Sequence, residues 1–82
     1  MCLAVPARIE SIEGTSALVM ALGCREKIDI RFVPTIEVGD FVLVHVGFAL
    51  EKVRPKEAAF LLDAWNSLLA NEGISYELPD TL

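Results

Sequence analysis

The sequence predicts a mainly β protein, in which a small, closed or partly open barrel of about five strands is followed by one helix. Five short segments of strand-like composition are separated by turn residues, and an apolar stripe at helical spacing follows Pro55. At 82 residues the chain suffices for one domain with a modest core. We therefore divide it into a barrel over residues 1–54, an amphipathic helix over 55–72 and a flexible acidic tail over 73–82.

The first three strands are predicted from apolar parity and turn signals. Residues 1–12 form a strand that contains Pro6, whose missing N–H favours a sheet edge, a strand entry or a bulge. Residues 17–22 form the second strand, and Gly23-Cys24 is a tight connection to the third, over residues 25–33. The third strand alternates between Glu26, Ile28, Ile30 and Phe32 on one face and Arg25, Lys27, Asp29 and Arg31 on a solvated face.

The stretch over residues 39–50 is the most apolar part of the predicted sheet. As one strand it places Val42, Val44, Val46 and Phe48 on a core face, and Phe41, Leu43, His45 and Gly47 on the other. Because both faces are apolar, both need a cover. Residues 49–53 form a fifth strand after a bend near Gly47.

A helix is predicted from Pro55 onward. Proline is well tolerated at the first helical position, and Glu57 in the first turn suits the helix dipole. Gly73 is a plausible stop. The apolar stripe consists of Ala58, Leu61, Leu62, Trp65, Leu68 and Leu69. Phe60 and Trp65 either pack in the core or face a partner.

Composition and charge limit the classes of function. Apolar residues make up 54% of a small chain, so we expect an exposed apolar surface and a partner that covers it. The net charge of −5 and the lack of a basic patch argue against nucleic acid and against anionic membranes. Since no secretory signal or membrane-spanning run is evident, we expect a cytoplasmic protein with reduced thiols.

Two residues are the leading candidates for chemistry. Cys2 becomes the first residue if Met1 is removed, and a terminal thiolate and amine suit soft metal binding or thiol exchange. His45 is a possible metal ligand or titrating group within an apolar strand. Each has a structural alternative, as a small apolar residue and as a core histidine. Two ligands do not complete a tetrahedral metal site, so the pair favours carrying a metal over storing it.

Two other classes of function stay open from the residues alone. A Cys–His pair can serve as nucleophile and base in a small enzyme, although a third, orienting group is not obvious. An oligonucleotide-binding barrel is disfavoured by the acidic charge. Cys24 is interpreted as structural or incidental, and no phosphate-binding glycine loop, HExxH or CxxC motif is present.

Two blocks of sequence resemble one known family. Residues 1–9 read MCLAVPARI, and residues 38–50 read VGDFVLVHVGFAL. Together they are similar to the signatures of the HypC/HupF/HybG family of nickel–iron hydrogenase maturation chaperones. The segment containing Glu57, Ala58, Leu62 and Asp63 also resembles the family's C-terminal part. Ala7 departs from the family pattern, because many members have glycine there, and the turn at residues 23–24 is not the commonest form.

The resemblance implies a fold, partners and a cargo. The fold is an OB-like β-barrel with a C-terminal helix, and the role is that of a chaperone and metallochaperone, not an enzyme. The expected partners are a HypD-type scaffold protein and the precursor of the hydrogenase large subunit. The expected cargo is a transient Fe(CN)₂CO iron held by Cys2 and His45, with no permanent cofactor. Partner contacts are expected at Cys2, Leu3, Val5, Pro6, Gly47 and Phe48.

Overall fold

The computed structural model describes residues 4–69, which form five β-strands and one α-helix. The predicted helical residues 70–72 and the predicted tail over 73–82 lie outside the described residues. The mainly β fold class with a small barrel and a C-terminal helix is confirmed. The elements are β1 (Val5–Glu13), β2 (Ser16–Ala21), β3 (Cys24–Asp29), β4 (Phe41–His45), β5 (Phe48–Val53) and α1 (Pro55–Leu69).

The five strands close into a barrel in the order β1-β2-β3-β5-β4. β1 pairs antiparallel with both β2 and β4, and β4 pairs antiparallel with β5. The barrel closes through a short parallel contact in which Asp29 of β3 lies opposite Phe48 of β5. There the backbone N–H of Asp29 donates to the carbonyl of Gly47 at 2.9 Å. Closure leaves the barrel without an open sheet edge.

Two apolar clusters cover the two faces of β4. Val42 and Val44 point into the barrel, whereas Phe41 packs with Val53 and Ala58 beneath the helix. The expectation that both faces of this strand are covered is therefore confirmed. The barrel cluster contains Ala7, Ile9, Ala17, Val19, Ala21, Ile28, Ile30, Val33, Ile36, Val42, Val44 and Ala49.

The third strand is shorter than its alternation predicts. β3 ends at Asp29, whose carboxylate accepts hydrogen bonds from the backbone N–H and the guanidinium of Arg31, both at 2.8 Å. This local turn takes the chain out of the sheet, so the prediction of a strand to residue 33 is wrong. Ile30 stays buried because the loop after β3 contributes to the core, but Phe32 is 64% exposed.

The stretch over residues 39–50 contains parts of two strands, so the prediction that one strand runs through to Phe48 is wrong, whereas the bend predicted near Gly47 is confirmed. Val46 and Gly47 adopt positive φ angles of 51° and 80° between the paired residues His45 and Phe48. A two-residue hairpin loop with both φ angles positive is a type I′ turn. Val46 is β-branched, which typically indicates a strand, and this explains why the sequence did not predict that the turn already begins at Val46.

The helix begins at Pro55, and its start is capped by its own first turn. The Glu57 carboxylate accepts from the backbone N–H of Arg54 at 3.1 Å, and Ala58 N–H donates to the Arg54 carbonyl at 2.9 Å. This is one half of a capping box. Ala58 and Leu62 are the buried residues of the helix.

The predicted apolar stripe is wider than the buried face. Leu68 belongs to the stripe in the sequence but is 67% exposed, and Phe60 is 73% exposed. Within residues 4–69, no helix has the length and apolar character needed to cross a bilayer.

Candidate functional site

A surface cleft of about 310 Å³ surrounds His45 at the end of β4. It forms where the start of β1, the β2–β3 turn and the β4–β5 turn come together. His45 is half-buried in it. The lining residues are Val5, Ala21, Leu22, Glu26, Val44, His45, Val46 and Gly47.

The two turns that flank the cleft have the same unusual backbone. Leu22 and Gly23 have φ angles of 46° and 79°, almost repeating those of Val46 and Gly47. Ala21 pairs with Cys24 across the first turn, so it is also a two-residue type I′ hairpin. An L-residue in the left-handed region costs about 1–2 kcal/mol; glycine avoids this cost, and asparagine reduces it. The cleft is thus built from two strained turns that each present an apolar side chain.

The ladder between β1 and β4 brings the start of the described chain to His45. Val5 lies directly opposite Val44, the residue before His45. Val5, the first residue of β1, follows Cys2 by three positions in the sequence.

Among the described residues, no side-chain hydrogen bond involves the imidazole of His45. In residues 4–69, no three His, Cys, Asp or Glu side chains are grouped to hold a metal ion. A metal at the cleft therefore needs ligands beyond this part of the chain, or ligands that it brings itself.

An exposed apolar patch lies next to the cleft. Val46 is 80% exposed, and Phe48, which follows Gly47, contacts Phe32 with ring centroids 5.6 Å apart. We call Phe32, Val46 and Phe48 the turn patch. Exposed aromatic and aliphatic side chains grouped beside a cleft are typical of a protein-binding surface.

The predicted site residues are only partly brought together. His45, Val5 and Gly47 line the same cleft, and Phe48 belongs to the adjoining turn patch. Pro6 is buried in the ladder opposite Leu43, so it shapes the strand and offers little surface. Cys2 and Leu3 lie outside the described residues.

Several cleft residues were missed from the sequence. Leu22 and Val46 escaped because an apolar residue before glycine is a weaker turn signal than Asn-Gly. The repeated apolar-Gly pair between two strand-like runs is the signal that could have revealed them. Glu26 was assigned to a half-buried strand face, but it is exposed and lines the cleft.

Charged side chains of β3 form ion pairs outside the cleft. The Arg25 guanidinium lies 2.7 Å from the Glu10 carboxylate, and that of Arg31 lies 2.7 Å from the Asp29 carboxylate. The side-chain hydrogen bond from Arg31, and then its backbone N–H, lower the pKa of Asp29 below its ordinary value of 3.8. Cys24 is an exposed free thiol at the start of β3, not part of the turn as predicted.

Together these features define a class of protein: a small OB-like β-barrel with a C-terminal helix, a histidine cleft at one end and an apolar surface beside it. The family model described as the HupF/HypC family matches residues 1–65. That match includes all five strands, the cleft and most of the helix. The chain belongs to the HupF/HypC family.

Relatives from different bacteria agree with this assignment. A hydrogenase maturation factor HypC of Azotobacter chroococcum is 44% identical over 59 residues, covering 71% of this chain and 70% of the relative. That of Escherichia coli K12 is 36% identical over 74 residues, covering 83% and 82%. That of Synechocystis sp. is 38% identical over 65 residues, covering 72% and 84%.

Proposed function

We propose that this protein is a hydrogenase maturation chaperone that helps to assemble and deliver the Fe(CN)₂CO group. Its partners are a HypD-type scaffold and the precursor of the hydrogenase large subunit. A role in hydrogenase maturation is supported by membership of the HupF/HypC family and by the relatives named as hydrogenase maturation factors. The observation that carries the proposed site is the pairing of Val5 with Val44, since it brings the start of β1, three positions after Cys2 in the sequence, beside the strand end that carries His45.

The cleft supports transient rather than permanent iron binding. An iron that already carries cyanide and carbon monoxide has few open positions, so one thiolate from Cys2 and the imidazole of His45 suffice to hold it. Thiolate and imidazole are suitable ligands for iron. Few protein bonds also favour release to the next protein, which is what a carrier requires and what a resident metal site avoids.

The turn patch supports docking of the two proposed partners. Val46 and Phe48 directly flank Gly47 in the cleft, so a protein that covers the patch also closes the cleft against water. Exclusion of water strengthens the contacts made to the cargo and protects it during transfer. We propose a carrier and adaptor, not a catalyst that turns over a substrate of its own.

Anaerobic affinity capture from the native host tests this function. We expect the unmodified chain to capture the scaffold and the large-subunit precursor, and the Cys2→Ala variant to lose both by more than tenfold. Cys24→Ala is the matched control, because it removes the other thiol, which is exposed and lies outside the cleft lining. Mass spectrometry identifies the partners, and circular dichroism checks the fold.

Two results would contradict the proposal. Capture of both partners by Cys2→Ala would show that Cys2 is not needed for the interaction. Capture of neither partner by the unmodified chain would show that the proposed function is wrong.

The variant His45→Gln distinguishes iron binding from partner binding. We expect this variant to keep both partners but to carry at least tenfold less iron, measured by metal analysis and by the infrared bands of cyanide and carbon monoxide.

A further inference from the structure

A long-range hydrogen bond joins the helix to the segment that leads to Cys2. The indole Nε1–H of Trp65 donates to the carbonyl oxygen of Ala4 at 3.1 Å, across 61 positions of sequence, in a partly buried environment. Ala4 and Leu61 also line one groove between sheet and helix. Trp65 is the only tryptophan in the chain. None of the sequence motifs described above predicts its contact with Ala4.

The position of this bond matters because the strand ladder ends beside it. β1 begins at Val5, so Ala4 is the first described residue before the strand. The next position along the ladder is Pro6, which has no N–H to donate. β1 pairs with β2 only from Arg8 onward, so its first residues are paired with β4 alone. The indole adds a further hydrogen bond directly before this part of the strand.

The helix that carries Trp65 is itself packed against the barrel. Ala58 is fully buried and Leu62 nearly so, and the Glu57 cap closes the first turn. Trp65 is three positions after Leu62, which places it on the same face of the helix, one turn further along. The indole is thus held by an element docked on β1 and β4.

We propose that Trp65 is a positioning residue that fixes the Ala4 peptide, two positions after Cys2 in the sequence. The inference rests on the proposed function, because what it positions is the thiol that engages the scaffold and the iron. Cys2 is two residues before Ala4, so at most about 7 Å of chain separates the anchored peptide from the thiol-bearing residue. Fixing Ala4 lowers the conformational entropy that Cys2 loses on binding.

The size of the effect follows from the strength of one hydrogen bond. A neutral, partly buried hydrogen bond of this kind corresponds to about a two- to tenfold change in an equilibrium constant. We expect loss of the indole N–H to weaken scaffold binding by that factor and to leave the barrel folded.

Because the chain has a single tryptophan, biosynthetic replacement of tryptophan changes this one residue. β-(3-Benzothienyl)alanine keeps the bicyclic shape but replaces N–H with sulfur, whereas 5-fluorotryptophan keeps the N–H and is the matched control. The first readout is the NMR order parameter of the Ala4 and Val5 amides in the isolated protein. The second is the dissociation constant for the purified HypD-type scaffold, by calorimetry. Trp65→Phe serves as a genetically encoded version.

We expect the benzothienyl variant to lower the order parameters from about 0.85 toward 0.6 and to weaken scaffold binding two- to tenfold. The fluorinated variant should match the unmodified chain in both. Equal scaffold affinity in the three proteins would overturn the positioning role and leave the proposed function intact. Failure of the unmodified chain to bind scaffold would overturn the proposed function, and this inference with it, whatever the order parameters report.

Discussion

Inside the barrel, the buried side chains of the described residues are all apolar, and those in strands have ordinary extended backbone. The cleft end differs, since Leu22 and Val46 are held there in the left-handed region. The two also differ from each other: Leu22 is half-buried, but Val46 is 80% exposed. Burial offsets the strain at Leu22, while nothing among residues 4–69 offsets it at Val46. Strain at an exposed apolar residue indicates a role outside the chain's own stability.

The largest effect is expected from a substitution in the interior of the barrel. Ile9→Ala removes a fully buried side chain and leaves a cavity, so we expect a loss of about 3 kcal/mol in the free energy of unfolding. Ile12→Ala is the matched control on the same strand, since Ile12 is 39% exposed. We expect it to cost less than about 1 kcal/mol. Urea denaturation followed by circular dichroism measures both, and equal losses would mean that β1 is not packed as described.

The second effect relieves the strain at the cleft end. Val46→Asn creates an Asn-Gly pair, which suits a type I′ turn, so we expect the free energy of unfolding to rise by about 1 kcal/mol. The same change removes an apolar side chain from the turn patch, so we expect scaffold binding to weaken by about tenfold. A more stable protein that binds less tightly would show that the strained valine is kept for binding.

A loss of stability in Val46→Asn would contradict this reading of the turn. Gly47→Ala provides an independent check, because an added Cβ at this position meets no atom within 4 Å. Any loss of stability in that variant therefore reports backbone strain at φ 80° and not a steric clash. We expect about 1 kcal/mol.

The same comparison explains what the sequence could predict. The barrel interior and the helix start were predictable, because β1, β2 and the residues after Pro55 follow periodicity and capping rules that depend on near neighbours. The end of β3 was not, since Ile30, Val33 and Ile36 remain buried after the chain leaves the sheet and thus mimic a longer strand.

The candidate site was predictable only in part. His45 was found because imidazole is rare and chemically distinctive, and Val5 and Gly47 through a family resemblance. Leu22 and Glu26 join the cleft through barrel closure, and Trp65 meets Ala4 across 61 positions. Contacts of this kind are set by tertiary structure, and a single sequence gives no local signal for them.

A smaller effect is expected at the other strained turn. Leu22→Asn also relieves a left-handed backbone, but it removes a half-buried apolar side chain. The free energy gained from relieved strain and that lost with the apolar burial therefore nearly cancel. We expect a change within about 0.5 kcal/mol in the free energy of unfolding. Chemical denaturation beside Val46→Asn checks this, and an equal rise in both variants would mean that burial of Leu22 contributes nothing.

The smallest effect concerns the ion pair that ends β3. Because the Arg31 side chain lowers the folded-state pKa of Asp29 below 3.8, the carboxylate stabilises the fold above the unfolded pKa, and this contribution is lost as the pH falls through the folded pKa. Asp29→Asn should therefore be less stable than the unmodified chain at pH 7, and this gap should narrow below about pH 4. Solvent screening keeps the gap small. Denaturation at pH 7, 5 and 3 measures it, with Arg31→Met and the double variant completing a cycle. If the gap stays constant over that range, Asp29 is not the titrating group, and the turn that ends β3 depends on its backbone hydrogen bond alone.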